Sequence, residues 1–578
     1  MLKINNFLKL LSSVGANKYY VLFLILMMLI SSMLDILSLG LIAPYIATIF
    51  EVKTIQTNYF FLSLENYDEK EIILYLTIFL ITIFFFKTIF SILIRWLISL
   101  FAYKQYAILQ VKLMNAYQNM GYQDYILRSS SEYIRNIREL GGECLNSIDS
   151  TLRVLSELII FAAIIIFLGL VNFKILFFLI FAILPIFIVY EKLFKPINVK
   201  LGHLKADALK QMYKNIDTGI RGLKEMRILE RQKFFLDKID YYAQKIYKAE
   251  KISILINDSP RYIFEFFIIT LSLIVFLILS KQSLDFSSFL PALGVFMLAA
   301  LRLLPSLASI TSNLNRIGYG RYAVEKVSED LEKFSIKKTY KRNSLERIDD
   351  KLTNFENLKM KNISFKYKNS DIEVFNNINF DLEKNDCIGI IGESGSGKTT
   401  FVDMMLGLLQ PTNGKMYLND QYIEKFSSNL INKIAYLPQE PIILDEKIKK
   451  NISLEINENL ININKINQAL LRSNFKKVLN NLPQGFETVI GDGGIRLSGG
   501  QNKRLALARA FYHGKNIIIM DEATSSLDLE TENYIADQIK ELKGKITIII
   551  ISHQLNILKY CNKIYKVDNK NINLVKNN

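Results

Sequence analysis

Residues 392 to 399 read Gly392-Glu393-Ser394-Gly395-Ser396-Gly397-Lys398-Thr399, a complete phosphate-binding loop. Glycines at this spacing let backbone N–H groups curl round phosphate oxygens, while Lys398 supplies a cation and Thr399 a hydroxyl ligand for magnesium. A nucleotide is therefore the expected ligand. An apolar strand expected over Cys387 to Ile391 feeds the loop. Downstream stand Leu497-Ser498-Gly499-Gly500-Gln501 and then a second apolar strand, Ile517 to Met520, ending in Asp521-Glu522. Adjacent carboxylates at a buried strand end are costly unless metal or substrate uses them. Asp521 is placed to order magnesium through water, and Glu522 to act as general base or to polarise the attacking water.

The rest of the chain is of a different kind. At 578 residues it needs two or more cores. Half of its residues are hydrophobic, with 38 Phe and 29 Tyr, and the apolar excess lies before residue 315. A soluble enzyme would expose too much apolar surface with such a composition. Six stretches are long enough to cross about 30 Å of hydrocarbon: 19–48, 72–102, 152–171, 173–190, 262–280 and 287–312. The first lacks the small-residue processing site of a cleaved signal peptide.

Orientation follows from the loops. The segment between the second and third spans carries Lys104, Lys112, Arg128, Arg135 and Arg138, and 15 Lys and Arg lie from Lys192 to Lys251. The other loops hold only Lys53 and Lys70, Lys174, and Lys281. Positive residues stay on the cytoplasmic side, so both termini and both long loops are expected there. Those loops are amphipathic and poor in turns, which reads as membrane helices running on and returning. The division is residues 1–318, a helical membrane domain; 319–352, a linker rich in Lys, Glu and Ser; and 353–578, an α/β nucleotide domain.

The formal net charge of +16 does not point to nucleic acid, because no basic patch is interleaved with aromatics in a binding module. Anionic membrane lipid is the simpler partner. Cys144, Cys387 and Cys561 are far apart and show neither a disulfide framework nor paired zinc-ligand spacing. His203 and His513 read as surface residues.

The loop, the Leu497–Gln501 string and the Asp521-Glu522 strand end, in this order, resemble the ATP-binding cassette (ABC) transporters. One cassette after six spans resembles half of an ABC exporter of the type IV fold. The resemblance implies that the loop residues Gly392 to Thr400 hold the phosphates and that Tyr367 stacks on adenine. It further implies that Gln439, in Leu437-Pro438-Gln439-Glu440-Pro441, reaches magnesium and the attacking water. Asp528 matches a dimer-interface aspartate, and His553 the histidine that contacts the γ-phosphate. The signature Leu497 to Gln501 completes the site of a second cassette, so a homodimer is expected. Asp217 to Glu225 resembles the coupling segment that lies on a nucleotide domain. Gly491-Asp492-Gly493-Gly494 resembles the exporter segment that senses it, with Asp492 where many exporters have Glu.

Charges inside the spans are the direct clue to cargo: Lys87, Arg95, Arg261, Glu265 and Arg302. Arg261 and Glu265 are spaced to pair along one turn. Met33-Leu34-Asp35-Ile36, Lys87, Pro260-Arg261, Ala300-Leu301-Arg302-Leu303-Leu304-Pro305 and Gly491–Gly494 resemble the flippase of undecaprenyl-diphosphate-linked oligosaccharides in bacterial N-glycosylation. That implies an ATP-driven translocase in which Lys87, Arg261 and Arg302 contact a lipid diphosphate, with Thr57 to Leu64 as an interfacial helix. The family tends to have Arg at Lys87, and a lysine lacks the bidentate fork. Export of another lipid, a drug or a peptide is the alternative; a peptide processor would carry an N-terminal protease with a catalytic Cys, whereas Cys144 is the first cysteine.

Overall fold

The apolar stretches of the first half form six long helices: α1 (Lys18–Phe50), α2 (Glu69–Gln118), α3 (Gly141–Val171), α4 (Phe173–Arg221), α5 (Lys233–Lys281) and α6 (Phe286–Tyr319). This computed structural model describes residue 15 and residues 17–50, 69–171, 173–281, 286–334, 355–423, 433–522, 529–552 and 555–577. Each of the six expected spans lies within one long helix. α2, α4 and α5 run far beyond their apolar stretches, as the turn-poor loops required, because a helix continues into water once one face turns polar. Among the described residues, the segments Lys18–Ser38, Ile73–Gln118 and Ser130–Leu170 are long and apolar enough to cross a membrane. Phe79, Phe85, Trp96, Leu170 and Phe181 remain exposed. In water these side chains would be a liability, whereas a hydrocarbon surrounding makes them ordinary.

α4 lies along α5, α3 along α6 and α1 along α2. One buried core runs from Leu24 and Met28 of α1 through Ile94, Ile98, Leu109 and Leu113 of α2 to Cys144, Ile148 and Leu152 of α3. The expected coupling segment, Asp217 to Glu225, spans the end of α4 and the start of a short helix, Leu223–Ile228, with Ile220 and Ile228 exposed.

The stretch read as a linker begins with a helix, α7 (Arg321–Phe334), whose Ala323, Val324, Val327, Leu331 and Phe334 join that core. Charged residues on its outer face gave it the composition of a linker. Asp330 lies on the inner face and is buried. Arg128 grips it with two bonds, Nη1 to Oδ2 at 2.8 Å and Nη2 to Oδ1 at 3.0 Å. The Tyr117 hydroxyl and Asn136 Nδ2 also donate to Oδ2, at 2.7 and 3.2 Å. A buried carboxylate needs such partners. The chain divides into two compact units, residues 1–120 with 125–340, and residues 121–124 with 341–578.

The second unit is built on two sheets. An antiparallel sheet has the order β2-β1-β4-β5, from β1 (Asn357–Lys366), β2 (Glu373–Glu383), β4 (Asn413–Leu418) and β5 (Gln421–Ile423). The other has the order β12-β11-β3-β10-β9-β6, from β3 (Cys387–Gly392), β6 (Ile434–Leu437), β9 (Ile517–Asp521), β10 (Thr547–Ile551), β11 (Lys563–Asp568) and β12 (Asn571–Asn577). All neighbours in it are parallel except β11 with β12. β9 and β10 are buried at every position, which explains their unbroken Ile runs: a parallel sheet is covered on both faces. A short pair, β7 (Glu446–Lys447) with β8 (Val489–Ile490), stands apart.

β3 and β11 are neighbours, so Cys387 and Cys561 meet with sulfurs 3.8 Å apart, although 174 residues separate them. Both are buried free thiols. No sequence spacing reveals a pair made by strand order.

Candidate functional site: a nucleotide pocket at the strand ends

β3, β6, β9 and β10 are parallel, so the loops leaving their carboxyl ends gather on one side. Open α/β sheets bind ligands at that edge. β3 delivers the phosphate loop, which passes directly into α8 (Lys398–Met405). Gly397 caps α8 with a left-handed φ of 105°, and a Cβ there would stand 2.9 Å from Val374 Cγ1, so only glycine fits. Lys398 is buried, its ammonium donating to the carbonyls of Gly392 and Glu393 at 2.8 Å each. Among the described residues the buried hydroxyl oxygen of Ser396 has no hydrogen-bond partner. A cation, an unused hydroxyl and the amino end of a helix suit an anionic phosphate chain.

β9 delivers the carboxylates. Asp521 is buried and accepts from the Tyr436 hydroxyl at 3.2 Å. Burial raises its pKa, against the pull of that bond. Asp403, on α8, is also buried, and burial together with the Asp521 charge pushes it up to about 6. This excess of buried negative charge suits a divalent cation, which Thr399, Asp521 and Gln439 would hold. Magnesium bound there would offset the charge of the β- and γ-phosphates.

Glu522 has a left-handed φ of 47°. That backbone costs a non-glycine residue about 1–2 kcal/mol. Its N–H donates to Ile551 O at 3.0 Å, and its Oε2 accepts from Gln439 Nε2 at 2.9 Å. The fold thus brings the loop after β6 to the end of β9, joining two residues that are 83 apart in sequence. Tyr367, expected to stack on adenine, donates or accepts a 2.9 Å bond with Thr400 Oγ1, and its ring meets Phe365 edge-on.

Ser498 opens α9 (Gly499–His513) with a capping box: Ser498 N–H donates to Gln501 Oε1 at 2.8 Å, and Gln501 N–H to Ser498 Oγ at 3.3 Å. Ser498 and Gly499 are exposed, and the first turn has no acid, so this helix end is free to meet an anion. In the Gly491–Gly494 segment, Gly493 N–H donates to Asp445 Oδ1 at 3.0 Å, while Asp492 extends into solvent. Asp528 and His553 lie outside the described residues, as do Thr57 to Leu64.

The membrane charges are placed differently from one another. Lys87 pairs with buried Asp35 at 2.7 Å and donates to Ser38 Oγ at 3.1 Å. Arg95, Arg261 and Glu265 are exposed, and among the described residues no ion pair joins Arg261 to Glu265. The side chain of Arg302 lies outside the described residues. Sequence reasoning missed Asp403, Tyr436, Asp445 and Lys503. It also passed over Glu157, whose Oε2 accepts from Ser306 at 2.8 Å inside the helical unit. The acid within the third span was the readable signal for that one.

Residues 375–525 match the family model described as ABC transporter. Two proteins of Staphylococcus aureus, strains NCTC 8325 / PS 47 and bovine RF122 / ET3-1, are each 32% identical over 211 and 215 residues. Both carry the provisional name multidrug export ATP-binding/permease protein. The match spans 36% of this chain and 36% of the length of each relative. Over 97% of its length the chain superposes on 95% of a solved bacterial Atm1-family ABC exporter with ATP bound, with a TM-score of 0.79 at 17% identity. The chain therefore has the fold of an ABC exporter, a helical membrane domain of six long helices joined to an α/β P-loop ABC ATPase domain.

Proposed function

We propose that this chain is half of a homodimeric, ATP-driven translocase of a bacterial cytoplasmic membrane, with both termini in the cytoplasm. The observation that carries the reading is the bond from Gln439 to Glu522 at the carboxyl end of β9, because a carboxylate oriented by that amide supports the reading of Glu522 as the group that takes a proton from an attacking water. Lys398 and the loop N–H groups bind the phosphates. Glu522 takes the proton of the attacking water as a new O–P bond forms and the bond to ADP breaks. The exposed end of α9 completes the pocket of the partner cassette, so nucleotide closes the dimer and release of phosphate loosens it. The Asp217–Glu225 segment passes this motion to the helices.

For cargo we propose an undecaprenyl-diphosphate-linked oligosaccharide moved from the inner to the outer leaflet. Exposed Arg261 supports an anionic head group, and the charge of Lys87 is already answered by Asp35. Export of another lipid, a drug or a peptide is the second reading, favoured by the multidrug-export names of the relatives. The test is purified protein in liposomes, with ATPase rate and flipping of a defined lipid-linked oligosaccharide measured together. Stimulation by that lipid, lost in Arg261→Ala, supports the first reading. ATPase activity indifferent to it, with drug-stimulated turnover, supports the second.

A further inference from the structure

The helix that opens on the signature also carries a lysine that reaches the base. Lys503 lies in the second turn of α9 and is buried. Its ammonium donates to the carbonyl oxygen of Glu522 at 2.9 Å. The left-handed backbone of Glu522 is thereby gripped on both sides, by β10 through its N–H and by α9 through its C=O. The Glu522 carboxylate also accepts from Gln439. A buried ammonium is expensive, and burial does lower the pKa of Lys503. A methionine of the same reach would serve the packing but could not donate to the Glu522 carbonyl.

We propose that Lys503 is a positioning residue for ATP hydrolysis, fixing the direction of the Glu522 carboxylate by holding its main chain. This rests on the chain being an ATPase with Glu522 as its base. Because Ser498 caps the same helix, and that end meets the partner's nucleotide in the homodimer, Lys503 ties each base to the signature that serves the opposite site.

The test uses the full-length protein in lipid nanodiscs, comparing wild type, Lys503→Met and Lys503→Arg. ATPase kcat and KM are measured, together with binding of a fluorescent ATP analogue. Lys503→Met should lose about 10–100-fold in kcat, the usual cost of removing a partner that orients a reacting group, with analogue affinity within about threefold of wild type. Lys503→Arg keeps a charged donor and should recover most of the rate. Wild-type kcat in Lys503→Met, a loss of binding that matches the loss of rate, or an arginine variant no better than methionine would overturn the proposal. If the methionine variant does not fold, Lys503→Gln replaces it, with the same expected order. A wild-type protein that binds ATP without hydrolysing it would sink the ATPase reading itself, whereas active wild type with indifferent variants sinks only this inference.

Discussion

Lys87 of α2 and Asp35 of α1 form an ion pair at 2.7 Å in which the carboxylate is fully buried. Ser38, one turn along α1, completes the grip on the ammonium. Removing one partner of a buried pair leaves an uncompensated charge and costs about 3–5 kcal/mol, while replacing both with apolar side chains is often neutral. Lys87→Met and Asp35→Asn should therefore each lower the thermal midpoint of the detergent-purified protein, and Lys87→Met with Asp35→Leu should regain most of it. If Lys87 instead serves cargo, Lys87→Met alone will leave the midpoint unchanged while transport fails.

Glu522→Gln keeps a side chain that can still meet Gln439 but cannot take a proton. It should bind ATP with near wild-type affinity and lose hydrolysis by at least about 100-fold, within the range that general-base groups supply. Nucleotide then holds the dimer closed, which cysteine crosslinking across the two cassettes reports. Ordinary turnover in this variant would move the base elsewhere.

The chain disclosed its contiguous strings before folding. The phosphate loop, the signature and the Ile-rich strands each carry their meaning within a few residues, and the helices followed from apolar length. It withheld the features that depend on pairing across the fold. Arg128 and Asp330 are 202 residues apart, and nothing local marks either as the other's partner. Asp35 stood in plain view, but its pairing with Lys87 depends on how α1 lies against α2. Nothing local marks Lys503, because its partner is the carbonyl of Glu522 at the end of β9, 19 residues away.

Asp403 offers a pH test. Burial and Asp521 raise its pKa from 3.8 to about 6. Below the lower value it is protonated whether folded or unfolded, so it has no effect on stability. Between the two the folded chain keeps a proton that the unfolded chain has released, so this group makes stability fall as pH rises, and the full penalty stands above about 6. Asp403→Asn should therefore raise the unfolding stability at about pH 7.5 without Mg2+ by an amount on the order of 1–3 kcal/mol, seen as a higher thermal midpoint, and the gain should vanish toward about pH 4. A gain independent of pH would assign the effect to packing.

Tyr367 can serve nucleotide in two ways, which two substitutions separate. Its ring is the expected platform for adenine, and its hydroxyl is bonded to Thr400 in α8 at 2.9 Å. Stacking of a base on an aromatic is worth about 1–3 kcal/mol, so Tyr367→Ala should raise KM for ATP roughly 5- to 150-fold with kcat at saturation little changed. Tyr367→Phe retains the platform and loses only the hydroxyl bond; KM should stay within about fivefold, since a single neutral hydrogen bond contributes about 1 kcal/mol or less. If phenylalanine proves as damaging as alanine, the side chain acts by holding α8 and the phosphate loop through Thr400, and the adenine platform lies on another residue.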